Sequence, residues 1–416
     1  MVFDSSGMPR KPSLGSIFFT VFLDLLGFGL VLPFLAEEAR DVFHASAFTG
    51  TLLAAVYSLM QFVFVPVWGR LSDRVGRRPI ILWSVAATAI GMVGLGTALA
   101  FGAGLAWLFV ARMFSGIATA NLGTASAYIA DVTKPEDRAR GMGMIGMAFG
   151  LGFILGPGIG GALADVTING RHGPLACYVA AGLSVINLTW AYFGLGESLP
   201  KENRSTKKRS LSPFDLTAAK ATFAIPGVGV AILVNFLIVT SFTNLDQTFR
   251  YFNKDLFGMT PLETGLLLAM IGVVAAVVQG GLIRPLAKRF SEAQLIRAGV
   301  LLQAIAFAGL ALSPAYGRVA LRVFSCVLAL GNGLTQPSVS AFISKRADPQ
   351  SQGATLGTNQ AVASLARMFG PACGGYLYGA LGERSPYIAA SVGMVIALIA
   401  ALSLHGRIRS TTAEIT

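Results

Sequence analysis

The chain has 416 residues, of which only 12% are charged and 54% are hydrophobic, with a mean hydropathy of +0.66 and a formal net charge of +12. About half the charge of an ordinary soluble domain excludes a water-soluble globule of this length. Basic residues scattered through short loops, with no aromatic-rich basic face, exclude a nucleic-acid interface.

Taken in chain order, twelve segments reach the roughly 20 apolar residues that a bilayer crossing needs. They are 14–36, 48–68, 79–101, 105–131, 140–166, 175–197, 223–250, 262–284, 295–313, 317–344, 353–381 and 385–407. The polar start, 1–13, has no small-residue cleavage site, so the first segment is expected to stay as an anchor. Residues 198–222, containing KENRSTKKRS, separate six segments from six and read as a flexible linker. The expected fold is therefore all-α and integral to the membrane, with halves 1–197 and 223–416. Of the Lys and Arg residues, 23 fall on the side of the termini and 7 on the other, which puts both termini in the cytoplasm.

The halves repeat each other. IADVTKPEDRARG at 129–141 aligns with ISKRADPQSQGAT at 343–355, and the same offset carries GPGIGG at 156–161 onto GPACGG at 370–375. The charged hairpin GRLSDRVGRRP at 69–79 has a fainter echo, IRPLAKRFSEAQ, in which Lys288 stands where Asp73 does. Parallel six-helix repeats place a substrate site between the halves near the midplane. Cys177, Cys326 and Cys373 lie inside apolar segments, and His44, His172 and His405 are far apart, so no disulfide framework, metal site or cofactor is expected.

Four motifs in order resemble those of the major facilitator superfamily. The hairpin, with Gly69, Asp73, Gly76, Arg77 and Arg78, resembles its loop signature, and LFVARMFSGIATAN at 108–121 its helix 4 signature. GLGFILGPGIGG, with Gly152, Gly156, Pro157, Gly160 and Gly161, resembles the helix 5 motif of its antiporters. LDLLGFGLVLP at 23–33 resembles the helix 1 motif of twelve-helix drug:proton antiporters, and the tetracycline-efflux-like branch looks nearest. That resemblance implies alternating access between two six-helix halves, and it departs from tetracycline exporters at three places. Gly91, Ala275 and Gln303 stand where those carry charged or titratable groups.

Asp24 sits roughly 15 Å into the first segment, near the centre of the hydrocarbon. An ionised group there costs about 2.5 to 10 or more kcal/mol, so it needs a cavity, a partner or a proton. Arg112 lies roughly 10 Å down the fourth segment, within reach of the depth of Asp24. The resemblance gives it an electrostatic role in protonating a membrane carboxylate; the alternative is an anchor for backbone carbonyls in a tight bundle, as for Asp24 it is a permanently ionised group paired structurally with an Arg. Arg367 shares a helical stripe with Gly357, Gln360 and Ser364, and either binds an anionic group or locks the halves. Asp246 lies near the outer end of segment 7, on a stripe with Asn235, and is either functional or merely interfacial. With Tyr57, Gln61, Asn121, Gln279, Gln303, Asn332 and Gln336 these groups make a candidate amphipathic substrate pocket, although each alone reads equally as an interhelical hydrogen bond.

In the hairpin, a carboxylate suits a helix N-terminus, and the start of the segment near 352–353 is available. The resemblance makes Asp73 the bridge between halves on the cytoplasmic side. Arg77, Asp131 and Arg138 would complete the cluster, while Arg70, Arg74 and Arg78 read as topogenic. The glycines of segment 5 read as close packing at the half interface, with a kink at Pro157. There is no Walker motif and no nucleophile–base pair, so neither ATP-driven transport nor catalysis is expected.

The expectation is a monomeric secondary transporter of the bacterial inner membrane, exporting small amphipathic or lipophilic compounds in exchange for protons. The rivals are a facilitator or symporter of an organic anion, a lipid or lysolipid flippase, and a transport-dead sensor or scaffold.

Overall fold

The structure is a computed structural model that describes residues 12–32, 34–133, 138–204, 216–347 and 352–404. The described residues are helical almost throughout, and their only β pairing is an isolated bridge between Ile168 and Arg171. Sixteen helices follow one another: α1 (Leu14–Val31), α2 (Leu35–Phe43), α3 (Ala47–Val75), α4 (Arg77–Phe101), α5 (Leu105–Ala118), α6 (Leu122–Val132), α7 (Arg138–Ala164) and α8 (Pro174–Gly194) come first. After α9 (Leu216–Ala224) come α10 (Val228–Phe257), α11 (Pro261–Val277), α12 (Ile283–Arg289), α13 (Glu292–Leu312), α14 (Gly317–Arg346), α15 (Gln352–Leu381) and α16 (Ser385–Leu402).

Helices dominate because hydrocarbon offers no partner for backbone N–H and C=O groups, which must pair within the segment. Among the described residues ten helices are long and apolar enough to cross a bilayer, and α7 adds a shorter apolar run, Gly150–Ala164. Large apolar side chains such as Trp83, Phe101, Trp107 and Leu381 stand exposed, as lipid-facing groups must.

Polar chemistry sets the ends. Ser46 caps α3 by accepting from the Thr49 N–H at 3.1 Å, and Ser291 with Gln294 forms a capping box on α13. The expected charged turn at 69–79 is largely helix: α3 continues to Val75 and α4 begins at Arg77. The whole turn is made at Gly76, whose φ of +111° is one that a residue with a Cβ rarely adopts. Conversely, the segment expected to run unbroken over 105–131 is interrupted at Thr119–Asn121, between α5 and α6.

The chain divides into two compact units. One holds residues 1–213 with 244–273 and 371–383; the other holds 214–243, 274–370 and 384–416. The first unit thus takes in the ends of α10, α11 and α15 that lie opposite the 69–79 hairpin. Within it α1 packs on α7 and α8, and α4 on α5 and α8, around cores that include Leu30, Phe34, Leu95 and Cys177, and Ile17, Val85, Tyr128 and Ile129. Within the second unit α13 packs on α14 and α16.

The α7 glycines meet α1 more than the second half of the chain. A Cβ on Gly160 would stand 2.1 Å from the Leu30 carbonyl oxygen, and one on Gly156 2.7 Å from the Gly29 Cα. Gly152 meets Leu25 in the same row. Gly161 instead meets α11, where a Cβ would come 2.5 Å from the Pro261 carbonyl. The row is therefore chiefly a helix-to-helix contact within the first half, where small residues let two backbones touch.

Candidate functional site

The break between α5 and α6 brings polar groups to the middle of the first unit. Asn121, at the break, donates to Asp24 Oδ2 at 3.0 Å. Asp24 Oδ1 is covered and has no partner. One turn along, the Thr119 hydroxyl donates to the Tyr57 hydroxyl at 2.7 Å, and Gln61 Nε2 reaches both oxygens at 3.1 Å. Phe28 stacks on Tyr57, with centroids 5.3 Å apart. Irregular backbone at membrane depth is tolerated where it lines a cavity or is buried in protein. Here the break supplies the donor that holds Asp24.

Arg112 is 3% exposed and lies under Tyr57, its Cζ 4.2 Å from the ring centroid. Its Nε is 3.4 Å from the Leu53 carbonyl, and Nη1 has no partner. The expected Asp24–Arg112 ion pair is therefore not formed. The guanidinium is held by a ring face, worth about 0.5–2 kcal/mol, rather than by a carboxylate.

The hairpin forms a second cluster around the buried Arg77. Its Nε donates to Asp131 Oδ2 at 3.1 Å, its Nη1 to Ser72 Oγ at 2.7 Å and to Asp73. Glu197 accepts from the Arg77 backbone N–H at 2.9 Å, and Ser198 donates to Asp131 at 2.9 Å. Glu197 and Ser198 were not singled out from sequence, because nothing local marks them. Arg78, expected to serve topology alone, donates to the Leu195 and Tyr192 carbonyls at 2.8 Å each, tying α4 to the end of α8. Gly69 faces open space, and the Arg138 side chain and those of 352–354 lie outside the described residues.

A third cluster, at the opposite end of the first unit, escaped the sequence reading altogether. Glu37 on α2 forms a bidentate pair with Arg250 on α10, with Nη2 to Oε1 at 2.8 Å, and takes Lys254 Nζ at 2.7 Å. Lys254 also pairs with Asp41, and Arg40 grips Asp255 through two bonds of 2.6 and 2.8 Å. Arg40 stacks on the Tyr251 ring at 4.6 Å, and Tyr378 of α15 donates to Asp255 at 2.7 Å. The available signal was charge pattern: EEARD at 37–41 against R250, K254 and D255. Only Arg40, Arg250 and Lys254 of this set enter the sequence reading, among the seven basic residues of that side.

The remaining candidates fall differently. Asp246 is half-buried in the first unit and accepts from its neighbour Gln247 at 2.8 Å. In the second unit Asn235 donates to Asn359 at 3.0 Å, and Arg367 to Ser364 at 2.8 Å. Gln279 and Gln360 are exposed, Gln336 is half-buried, and Asn332 Oδ1 is covered without a partner. Gln303, expected to line the pocket, is fully buried and donates to Thr335 at 3.0 Å between α13 and α14. It belongs to packing in this state. Among the described residues no group of three His, Cys, Asp or Glu side chains is placed to hold a metal.

Polar groups meet in pairs inside a polytopic helical bundle, and family membership makes that bundle a membrane transporter rather than an enzyme. The family model of the Major Facilitator Superfamily matches residues 17–367 and 319–414, and the chain belongs to that superfamily. It is 32% identical over 395 residues to the tetracycline resistance protein, class C, of Escherichia coli, covering 94% of this chain and 96% of that one. It is 28% identical to multidrug resistance protein 2 of Bacillus subtilis (strain 168), covering 91% of each. Among solved structures, the human organic anion transporter MFSD10 (TETRAN) aligns with a TM-score of 0.71 at 23% identity, over 93% of this chain and 98% of that one. A bacterial homologue of the human lysosomal transporter Spinster, inward-facing and unoccupied, aligns with 0.76 at 18% identity, over 94% and 96%. The chain is thus a multi-pass, drug-efflux-like member of the superfamily.

Proposed function

We propose that the protein is a proton-coupled antiporter of the inner membrane, exporting small amphipathic or lipophilic compounds by alternating access. In this reading twelve helices cross the membrane in two six-helix halves, 1–197 and 223–416, with both termini and the 69–79 hairpin in the cytoplasm. One observation carries it: Asp24, deep in a spanning helix, has one oxygen on Asn121 and the other covered without a partner. A permanent charge so placed is costly, so the group is suited to gaining and losing a proton. Likeness to tetracycline and multidrug resistance proteins supports the cargo class.

Asp24 and Arg112 do not pair in this state, which fits a proton on Asp24. Loss of that proton would leave a carboxylate and an unmatched guanidinium in the same half, and their attraction would favour a rearrangement around the α5–α6 break. Tyr57, Gln61 and Thr119 form the polar rim on which a cargo would lie. Asp73, Arg77 and Asp131 act as the cytoplasmic gate. Liposomes loaded with a pH-sensitive dye test the proposal. Compounds of the exported class should release protons from the wild type and not from Asp24→Asn; release that survives the substitution would sink the reading.

A second reading has its own support. The Arg112 Nη1, buried without a partner, suits an organic anion that displaces Tyr57 from the guanidinium. Exchange of organic anions independent of any pH gradient, abolished in Arg112→Gln, would favour it.

A further inference from the structure

We infer that Glu38 is a second proton-binding site, which holds the cluster at the outer ends of α2, α10 and α15 shut while it is protonated. The inference rests on the orientation proposed above, which puts that end outside.

Glu38 is 4% exposed, and its Oε2 is covered without a partner. Every other carboxylate of the cluster is paired. Glu37 holds Arg250 and Lys254, Asp41 holds Lys254 and Arg40, and Asp255 holds Arg40. The cations have nothing to spare. Arg250 also donates to the Met259 carbonyl and, at 3.3 Å, to Thr264, while Arg40 lies over Tyr251. Two further groups complete the surroundings: Tyr251 donates to the Ala36 carbonyl, and Tyr378 to Asp255. Arg171, before α8, acts on Glu38 from a distance, but its guanidinium is engaged by the Leu99 carbonyl at 3.2 Å and the Phe43 ring. Four acids therefore face Arg40, Arg250 and Lys254, with Arg171 farther off, and Glu38 is the acid without a direct ion pair.

An ionised Glu38 would put a buried charge without a direct ion pair beside the carboxylates of Glu37 and Asp41, with only the more distant pull of Lys254 and Arg171 to offset it. A metal cation is a poor counterweight. It needs about six or more oxygen ligands, and the neighbouring carboxylates are already spent on Arg and Lys. A proton needs one oxygen. It comes from outside water, bonds to the Glu38 carboxylate to give a neutral acid, and returns to that water when the cluster opens. Closure is thus linked to external pH. Protonation belongs to the closed form, so closure is favoured at low pH and lost as pH rises.

The test uses the full-length protein in lipid nanodiscs. Hydrogen exchange of peptides covering 35–44 is followed by mass spectrometry from pH 6 to 9, corrected for intrinsic chemistry, in sodium and in choline chloride. Wild-type protection should fall by up to about tenfold per pH unit, the limit for one proton, and equally in both salts. Glu38→Gln, which imitates the neutral acid, should keep its low-pH protection throughout, and Glu38→Asp should keep the slope. Wild-type protection that ignores pH, an unchanged slope in Glu38→Gln, or dependence on sodium instead of protons would each overturn the assignment. Should Glu38→Gln fail to fold, the two-salt titration of the wild type and the Glu38→Asp slope still decide. Asp24→Asn should leave this response intact. Loss of its transport with normal pH-dependent protection would therefore speak to the antiport reading and not to Glu38.

Discussion

Single side chains divide here into those that can carry a proton and those that only hold helices together, and their chemistry tells them apart. Asp24 is an ionisable group with one bond and one unpartnered oxygen, whereas Gln303, whose Oε1 is likewise unpartnered, is uncharged and donates to Thr335 between α13 and α14. Gln303→Leu should therefore leave the range of exported compounds unchanged and cost little, since interhelical hydrogen bonds in membranes average about 0.6 kcal/mol. A shifted drug profile in a resistance assay would show that Gln303 lines the pathway after all. Tyr57→Leu should do more, because it strips the ring from Arg112, removes a partner of Thr119 and Gln61, and uncovers Phe28. Loss of about 0.5–2 kcal/mol of stability, the range for a buried cation–π contact, is expected from thermal unfolding in detergent.

At the scale of elements, close approach sets the limits. Gly160→Val would drive a branched side chain into the Leu30 carbonyl on α1, and overpacking of this kind costs about 1–3 kcal/mol. A lowered unfolding temperature is the expected outcome; Gly158→Ala, with only Ala269 at 3.6 Å, should leave that temperature nearly unchanged. Among the described residues, ten of the twelve expected spans were legible from hydropathy, because a bilayer selects length and apolarity before anything else. Helix ends were less so. The hairpin at 69–79 reads as a turn because it is charged, yet its residues make good helix and Gly76 alone reverses the chain. The break at Thr119–Asn121 was invisible for the opposite reason: nothing in GIATANLG forbids helix, and the interruption comes from tertiary contacts with Tyr57 and Asp24. The α7 glycines showed that something packs closely, but not that α1 is the main partner.

For the whole molecule, the informative fact is where compactness falls. The first unit takes in the ends of α10, α11 and α15 through the ion pairs of α2, and no local pattern in the chain announces pairings between residues more than 200 positions apart. Removing one partner of a buried ion pair strands the other and costs about 3–5 kcal/mol. Glu37→Gln should therefore loosen this end far more than Asp73→Asn loosens the hairpin, whose Arg77 keeps Asp131 and Ser72. Modification of a cysteine introduced at Thr51, beneath Gly375, reads the difference: it should speed up in Glu37→Gln and stay slow in Asp73→Asn.

The Glu37–Arg250 pair also sets a clock. Under the proposed alternating access, whatever free energy is needed to separate it is part of the barrier of each cycle, and each 1.36 kcal/mol of barrier is about tenfold in rate. On that proposal, a protein clamped this firmly between α2 and α10 waits longest with that end closed. Under that proposal it trades turnover for tightness, which suits a transporter that must not leak between cargoes.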